Sequence, residues 1–350
     1  MLEKLLSWLE DPDSDVNASA LDVLAHTNGI DEDVQDLDNL KKIVPLLTKF
    51  MKDKNTEIRL IAMSCAIRVA DSVPKAYEIH TQEFGPLLLN ILQTNLNSGD
   101  PDSTNKTIEI LIESLSQAGS LFSKNPEHFV SAMHQIAKTK QLGEQTRILA
   151  LEFLGSFGES VKTAAKKIKK FNDVLLPLCL DIMAETVDEN SFNFSANAES
   201  EKPMLFEVAN ECVDRICLSM GGKAFAPVLL KNFDLYVKKP DWQSKLSAVM
   251  ALSQSGEGCR EQFTPVLGKL VKVVLELYNE KCARLRFAAI HCTGQMCTDL
   301  APLVQELYGK DILKALLKAL DDPKPEVQDH TQHAIINIME HCPVSCLDAS

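Results

Sequence analysis

Aromatic residues are scarce in this chain. They form 6% of its 350 residues, with Trp twice and Tyr four times, whereas aliphatic side chains are plentiful. Sandwiches and barrels draw on β-branched and aromatic residues, so the shortage argues for helices packed through Leu, Ala, Ile and Val. Long hydrophobic runs are missing as well: none reaches the ~18 residues needed to cross a membrane. The opening Met1-Leu2-Glu3-Lys4 has neither the basic region nor the small-residue cleavage site of a signal peptide.

Positive charge is in deficit too. Lys and Arg number 36 against 49 Asp and Glu, a formal charge of −13. Such a balance repels phosphate backbones and favours basic partners, which argues against direct nucleic-acid binding. Catalytic signatures are absent: there is no GxSxG and no HExxH. Gly256-Glu257-Gly258 is a lone GxG without a preceding strand, and Gly221-Gly222-Lys223 lacks the phosphate-loop spacing. An enzyme is therefore not expected, nor any cofactor. No CxxC pair occurs. His330 and His333 share a helix face with His291, Cys292 and Cys297 one repeat earlier, but no four-ligand zinc spacing is met, so no metal is expected either. The ten cysteines do not read as a disulfide framework. Cys65, Cys179, Cys217, Cys292 and Cys297 lie inside apolar helical patterns, where Cys acts as a small hydrophobe, which fits a reducing compartment.

What the chain does have is a repeat. Leu246 opens LSAVMALSQSGEGCREQFTP, Arg286 opens RFAAIHCTGQMCTDLAP, and Asp329 opens DHTQHAIINIMEHCP. Each is a helical run of small and aliphatic residues ending in an acid shortly before a proline. Those prolines, Pro265, Pro302 and Pro343, follow one another at nearly equal intervals. Upstream, Asp11-Pro12-Asp13-Ser14 and Asp53-Lys54-Asn55-Thr56 read as helix starts, Gln145-Thr146-Arg147 leads another helix, and Glu207-Val208 a fourth. The pattern gives seven or eight helix pairs at roughly 40-residue intervals, the HEAT/armadillo period. The expected fold is all-α: a right-handed α-solenoid of HEAT repeats, one array over residues 1–350. One pair cannot bury its apolar face alone, so neighbours must stack. Residues 184–203, polar and rich in Ser and Asn, read as a flexible insert between the two helices of one pair.

A series of motifs then carries a resemblance. Cys212-Val213-Asp214-Arg215 is followed by Gly221-Gly222-Lys223, Pro240-Asp241-Trp242, Gly256-Glu257-Gly258-Cys259, and Gly294-Gln295-Met296 with Thr298-Asp299-Leu300-Ala301-Pro302. This series resembles the karyopherin-β (importin-β) superfamily, its importin-five branch in particular, most specifically from about Glu207 onward. Members are much longer, so the resemblance implies an internal piece of a nuclear import receptor that shuttles between cytoplasm and nucleus, acting as a monomer. It also implies partners: basic cargo with Lys-rich localisation signals, FG nucleoporins in grooves between neighbouring first helices, and Ran-GTP bound mostly outside this stretch. The family's insert is strongly acidic; here Asp188, Glu189, Glu199 and Glu201 are scattered among mostly neutral residues, with no run of acids.

The candidate site is a ladder of acids. Asp214, Glu257, Asp299 and Glu340 follow one another at almost constant spacing, one repeat at a time, near the ends of successive second helices. In a HEAT solenoid those helices line the concave face. Carboxylates one repeat apart suit an extended peptide with separated lysines, held by charge-assisted hydrogen bonds. Asn337, one turn before Glu340, is placed to hold the peptide backbone. The resemblance implies the same roles, since acids and asparagines on these helices hold lysines in the family. Two other features read as structural: Trp242 as a packing residue at a repeat junction, and Lys166-Lys167-Ile168-Lys169-Lys170 as a solvated helix face. The rival reading is a non-transport HEAT scaffold, such as a phosphatase regulatory subunit or assembly platform, which has no need of acids in register.

Overall fold

A computed structural model describes residues 2–26, 35–168, 170–190, 192 and 204–340. The chain divides into two compact units, Met1–Lys169 and Lys170–Ser350. Among the described residues every regular element is a helix.

The first unit holds four helix pairs: α1 (Leu2–Leu9) with α2 (Ser14–His26), α3 (Leu37–Phe50) with α4 (Thr56–Ser72), α5 (Phe84–Ser98) with α6 (Pro101–Gln117), and α7 (Pro126–Lys138) with α8 (Glu144–Ser160). A 3₁₀ segment, Lys75–Thr81, joins the second pair to the third. Short polar side chains start these helices by accepting orphan backbone N–H groups. Asp36 accepts from the amide of Asn39, Asn55 from that of Glu57, and Asp100 from that of Asp102, with Pro101 in the first turn. Second helices stack on one another, α2 on α4, α4 on α6 and α6 on α8. A cluster of rings fills the last pair, where Phe122 lies 4.8 Å from Phe129 and 5.9 Å from Phe153.

The second unit holds four more pairs, so the described residues contain eight, as the periodicity predicts. They are α9 (Phe171–Met183) with α10 (Leu205–Met220), α11 (Gly222–Tyr236) with α12 (Trp242–Ser253), α14 (Leu267–Glu276) with α15 (Ala283–Asp299), and α16 (Leu303–Ala319) with α17 (Pro325–Glu340). One reading changes in detail. The run from Leu246 is two helices, because α12 stops at Ser253 and a short α13 (Gly256–Phe263) follows. The buried Ser255 hydroxyl donates to the Ala251 carbonyl at 2.7 Å, and glycine stands next in sequence. Both features favour leaving the helix. Between α10 and α11 the chain turns in one residue, Gly221, at φ 84, a left-handed value open to glycine at little cost.

The repeat is braced by arginines. Arg59, Arg147 and Arg286 are each the fourth residue of a second helix. Arg59 and Arg286 both donate to carbonyls five and six residues earlier, at 2.9 Å. Arg147 donates to the Ala137 carbonyl at 2.8 Å. Two of them also cross to the next repeat: Arg59 reaches Asn95 and Arg286 reaches Asp322, both 36 residues on.

The stretch 184–203 does lie between the two helices of a pair, α9 and α10. Its start rests on α15, where Arg284 donates to the Thr186 hydroxyl at 2.6 Å and to the Asp188 carbonyl at 2.7 Å. Phe192 packs 5.4 Å from Phe287. Residues 193–203, with Glu199 and Glu201, lie outside the described residues, as does Pro343.

Candidate functional site

In the second unit the second helices again form a layer, with α12 on α15 and α15 on α17. Asp214, Asp299, Asn337 and Glu340 lie in second helices of this unit, but Glu257, expected near the end of one, lies in the short α13 that follows α12. Asp214 lies in α10, between one and two turns before its end, and is half-buried. Glu257 is exposed in the first turn of α13, a consequence of the break after Ser253. Asp299, half-buried, is the last residue of α15. Asn337 and Glu340 lie in the last turn of α17, the first half-buried and the second exposed.

Three of the five interact. A Cβ on Gly256 would stand 2.3 Å from Asp299 Oδ2 and 2.9 Å from its Cβ. Glycine at 256 is therefore what lets the Asp299 carboxylate settle against α13 beside Glu257. Burial, then the charges of Glu257 and Asp214, push the Asp299 carboxyl from 3.8 up to about 6, against the opposing pull of Arg260. Arg260 itself is exposed and donates to the Ala301 carbonyl. Repulsion and partial desolvation thus raise a carboxyl that would gain from an incoming cation. Asn337 bridges the next pair of helices: its Nδ2 would lie 3.3 Å from a Cβ on Gly294 of α15. Among the described residues no contact joins Glu340 to the other acids.

The remaining candidates fall elsewhere. Trp242 is half-buried at the start of α12, behind Asp241, which accepts from the Ser244 amide at 2.7 Å. Lys166, Lys167 and Lys170 are exposed, and Lys169 lies outside the described residues. His291 Nδ1 stands 3.2 Å from His330 Nε2. Burial lowers the pKa of both, that of His330 to about 4, so the pair shares one hydrogen bond between neutral rings. Among the described residues no group of three or more His, Cys, Asp or Glu is arranged to hold a metal ion. No described helix is long and apolar enough to cross a membrane.

Two grooves were not legible in the sequence, since each needs three-dimensional neighbours. Between α5 and α7 a cavity of about 570 Å³ is lined by Leu89, Leu92, Leu96, Ala132, Ile136 and Leu142, among others. Across α2, α4 and α6 runs another of about 710 Å³, where Asp22, Glu57, Asp102, Glu109 and Glu113 outnumber Lys106. The Arg260 neighbour of Asp299 was also missed; its place in the second half of the Gly256–Phe263 helix gave no signal of its own.

Helix pairs at this period, with stacked second helices, define a HEAT-type α-solenoid. Comparison with known proteins narrows the class. Two family models match consecutive stretches, "IPO5-like, TPR repeats" over residues 1–132 and "Importin repeat" over residues 139–227. Importin subunit beta-3 of Saccharomyces cerevisiae is 25% identical over 86% of this chain and 28% of its own length. The probable importin-5 homolog of Dictyostelium discoideum is 26% identical over 68% of this chain and 22% of its own. The chain belongs to the karyopherin-β superfamily, in its importin-five branch. The crystal structure of Kap121p bound to Pho4p shares the fold, with a TM-score of 0.86 at 24% identity, over 99% of this chain and 34% of that one. Kap121p has also been solved bound to Nup53p and to RanGTP. Another structure is of a Kap121p mutant in which three acids, Asp, Glu and Asp in chain order, are changed to Lys. The chain spans about a quarter to a third of the length of the relatives it matches.

Proposed function

We propose that this chain is the part of a nuclear import receptor that takes up a basic localisation signal on the layer of second helices in its second unit. Asp214, Glu257 and Asp299 receive cargo lysines, Asn337 holds the peptide backbone, and Glu340 extends the ladder. The observation that carries this reading is the mutual repulsion at Asp299, whose carboxyl is raised to about 6 by burial, Glu257 and Asp214. An ammonium placed among these groups relieves that repulsion. Two further points support it. Asp214, Glu257 and Asp299 have the same order of residue types and the same successive spacings as the three acids altered in the Kap121p mutant. Pho4p, Nup53p and RanGTP are the partners named for Kap121p, a protein of the same fold.

Each rung is weak. An exposed ion pair contributes ~0.2–1 kcal/mol, so affinity comes from several rungs acting on one peptide. On the same reading the apolar groove between α5 and α7, two first helices, accepts Phe side chains of FG nucleoporins. Release by Ran-GTP belongs to the longer protein, as does traffic between cytoplasm and nucleus.

The test is binding of a fluorescent Lys-rich peptide, and in parallel a Phe-Gly-rich one, to the chain and to Glu257→Ala and Asp299→Ala at two salt concentrations. Either substitution is expected to weaken the lysine peptide severalfold while leaving the Phe-Gly peptide unaffected, with higher salt weakening only the former. Lysine-peptide binding indifferent to both substitutions would reject the ladder and leave a non-transport HEAT scaffold as the better account.

A further inference from the structure

Behind the ladder lie two thiols that the proposed cargo site does not use. Cys217 of the second helix α10 and Cys259 of the short helix α13 are both fully buried, with their sulfurs 3.5 Å apart. The room for this approach comes from Gly258, where a Cβ would stand 2.6 Å from the Cys217 sulfur. We propose that Cys217 and Cys259 are a site of reversible oxidative modification, joined as a disulfide when hydrogen peroxide reaches them.

Sulfurs in van der Waals contact need only a small side-chain rotation to reach the ~2 Å of an S–S bond. Access comes from the element that carries Cys259. The α13 helix has only eight residues, two of them glycine, and follows the break at Ser255. So short a helix with two poor helix formers opens locally more readily than its neighbours. Cys259 is also the better nucleophile: its hydrogen bond with Cys217 holds its thiol below the usual range, although burial opposes this. The Cys259 thiolate attacks the peroxide O–O bond, giving a sulfenic acid and a hydroxide that takes up the proton Cys259 had lost. The Cys217 sulfur then attacks the sulfenic sulfur, the S–O bond breaks, and the departing hydroxide leaves as water with the Cys217 proton. Two thiols lose two protons and two electrons, and one peroxide becomes two waters.

The other described cysteines are placed differently. The Cys65 thiol donates to the Leu21 carbonyl at 3.0 Å. Cys179 and Cys212 share a hydrogen bond, but between helices of thirteen and sixteen residues without glycine. That pair should open less and stay reduced. The consequence of oxidation is local: Asp214 stands three residues before Cys217 and Glu257 two before Cys259. A covalent tie between the two helices fixes the interval between the first two rungs, whatever ligand they bind.

The experiment oxidises the folded full chain with hydrogen peroxide, blocks remaining thiols in denaturant, and maps tryptic peptides without reduction. The expected product is Ile216–Lys223 joined to Leu246–Arg260, lighter by two hydrogens than the sum of the free peptides and released by dithiothreitol. In the oxidised chain, amide exchange in residues 256–259 is expected to slow at least tenfold. Recovery of these peptides unlinked from the native chain would overturn the assignment, as would an equal yield of Cys179–Cys212 disulfide. The wild-type chain suffices for this decision, so it does not depend on whether Cys217→Ser or Cys259→Ser folds.

Discussion

At Asp299 three influences meet: partial burial, the charge of Glu257 and the charge of Asp214, opposed by the charge of Arg260. The folded group titrates at about 6, above its ordinary 3.8. Between those values the folded chain holds a proton that the unfolded chain has lost, so stability falls as pH rises through the window and the full penalty stands above it. A shift of two units corresponds to ~3 kcal/mol, but the half-exposed position is screened by solvent and reduces this to about 1 kcal/mol. Asp299→Asn is therefore expected to stabilise the chain by about 1 kcal/mol at pH 7 and by nothing near pH 4, measured by urea unfolding at both values. The same variant should lose affinity for a lysine peptide, a trade of stability against binding. An acid whose charge is not strained by its neighbours would show no gain at pH 7, and unchanged or lower stability there would count against the site. The regular spacing of the ladder was legible because the acids recur at nearly constant sequence intervals, whereas their helical positions differ, Glu257 starting a short helix and Asp299 ending a long one. The contact of Asp299 with Gly256 was not, since it depends on how closely two helices approach. Nor was the thiol pair, because the sulfurs of Cys217 and Cys259 meet only once α10 and α13 pack together.

Among elements, the arginine at the fourth position of a second helix does for the turn what a cap does for a helix end. It satisfies carbonyls left without partners where the first helix stops. Arg286 has the strongest version: beyond the Glu280 and Lys281 carbonyls it makes a two-pronged contact with Asp322, at 2.6 and 2.8 Å, and both side chains are nearly enclosed. Arg59 makes the analogous reach to Asn95, a neutral partner, at 2.8 Å. Removing the acid leaves a buried guanidinium without its counter-charge, so Asp322→Ala is expected to cost about 3 kcal/mol. Asn95→Ala removes a neutral acceptor and is expected to cost about 1.5 kcal/mol. Chemical denaturation of the two variants decides it; equal costs would mean that charge contributes nothing to the brace. Helix pairs were readable in advance because Asp, Asn and Pro punctuate their starts, as at Asn55, Asp100 and Asp241. The division of the Leu246 run was not, because Cys259 and Phe263 resume a helical apolar spacing after the polar stretch 253–258, while the bond of the Ser255 hydroxyl to the Ala251 carbonyl is visible only in the fold. The brace was hidden for another reason: Arg59 and Arg286 look like surface charges until the turn carbonyls are in place.

For the whole chain, a charge of −13 and a ladder of acids one repeat apart bear together on the proposed function. On that reading the net field draws a basic segment in, and its reach shrinks to about 8 Å at physiological salt, so the choice of register falls to the rungs. Packed helices stand about 8–10 Å apart. A peptide in extended polyproline conformation rises about 3.1 Å per residue with three residues per turn, so side chains at i and i+3 point the same way about 9 Å apart. On the proposed reading, lysines three residues apart therefore match adjacent rungs, one at Asp214 and the next at Glu257. Adjacent lysines cannot, because the second ammonium points away from the layer and must bend back at the expense of side-chain freedom. A K-x-x-K peptide is expected to bind about five- to tenfold tighter than one of identical composition with its lysines adjacent, since a second rung is worth ~1 kcal/mol or slightly more. Fluorescence anisotropy with the two peptides at one ionic strength reads the difference. In Glu257→Ala the advantage of the spaced peptide should shrink toward unity, because one of the two rungs is lost while the field barely changes. Equal binding of both peptides to the unaltered chain would mean that net charge alone captures basic segments and that the register of the acids carries no specificity.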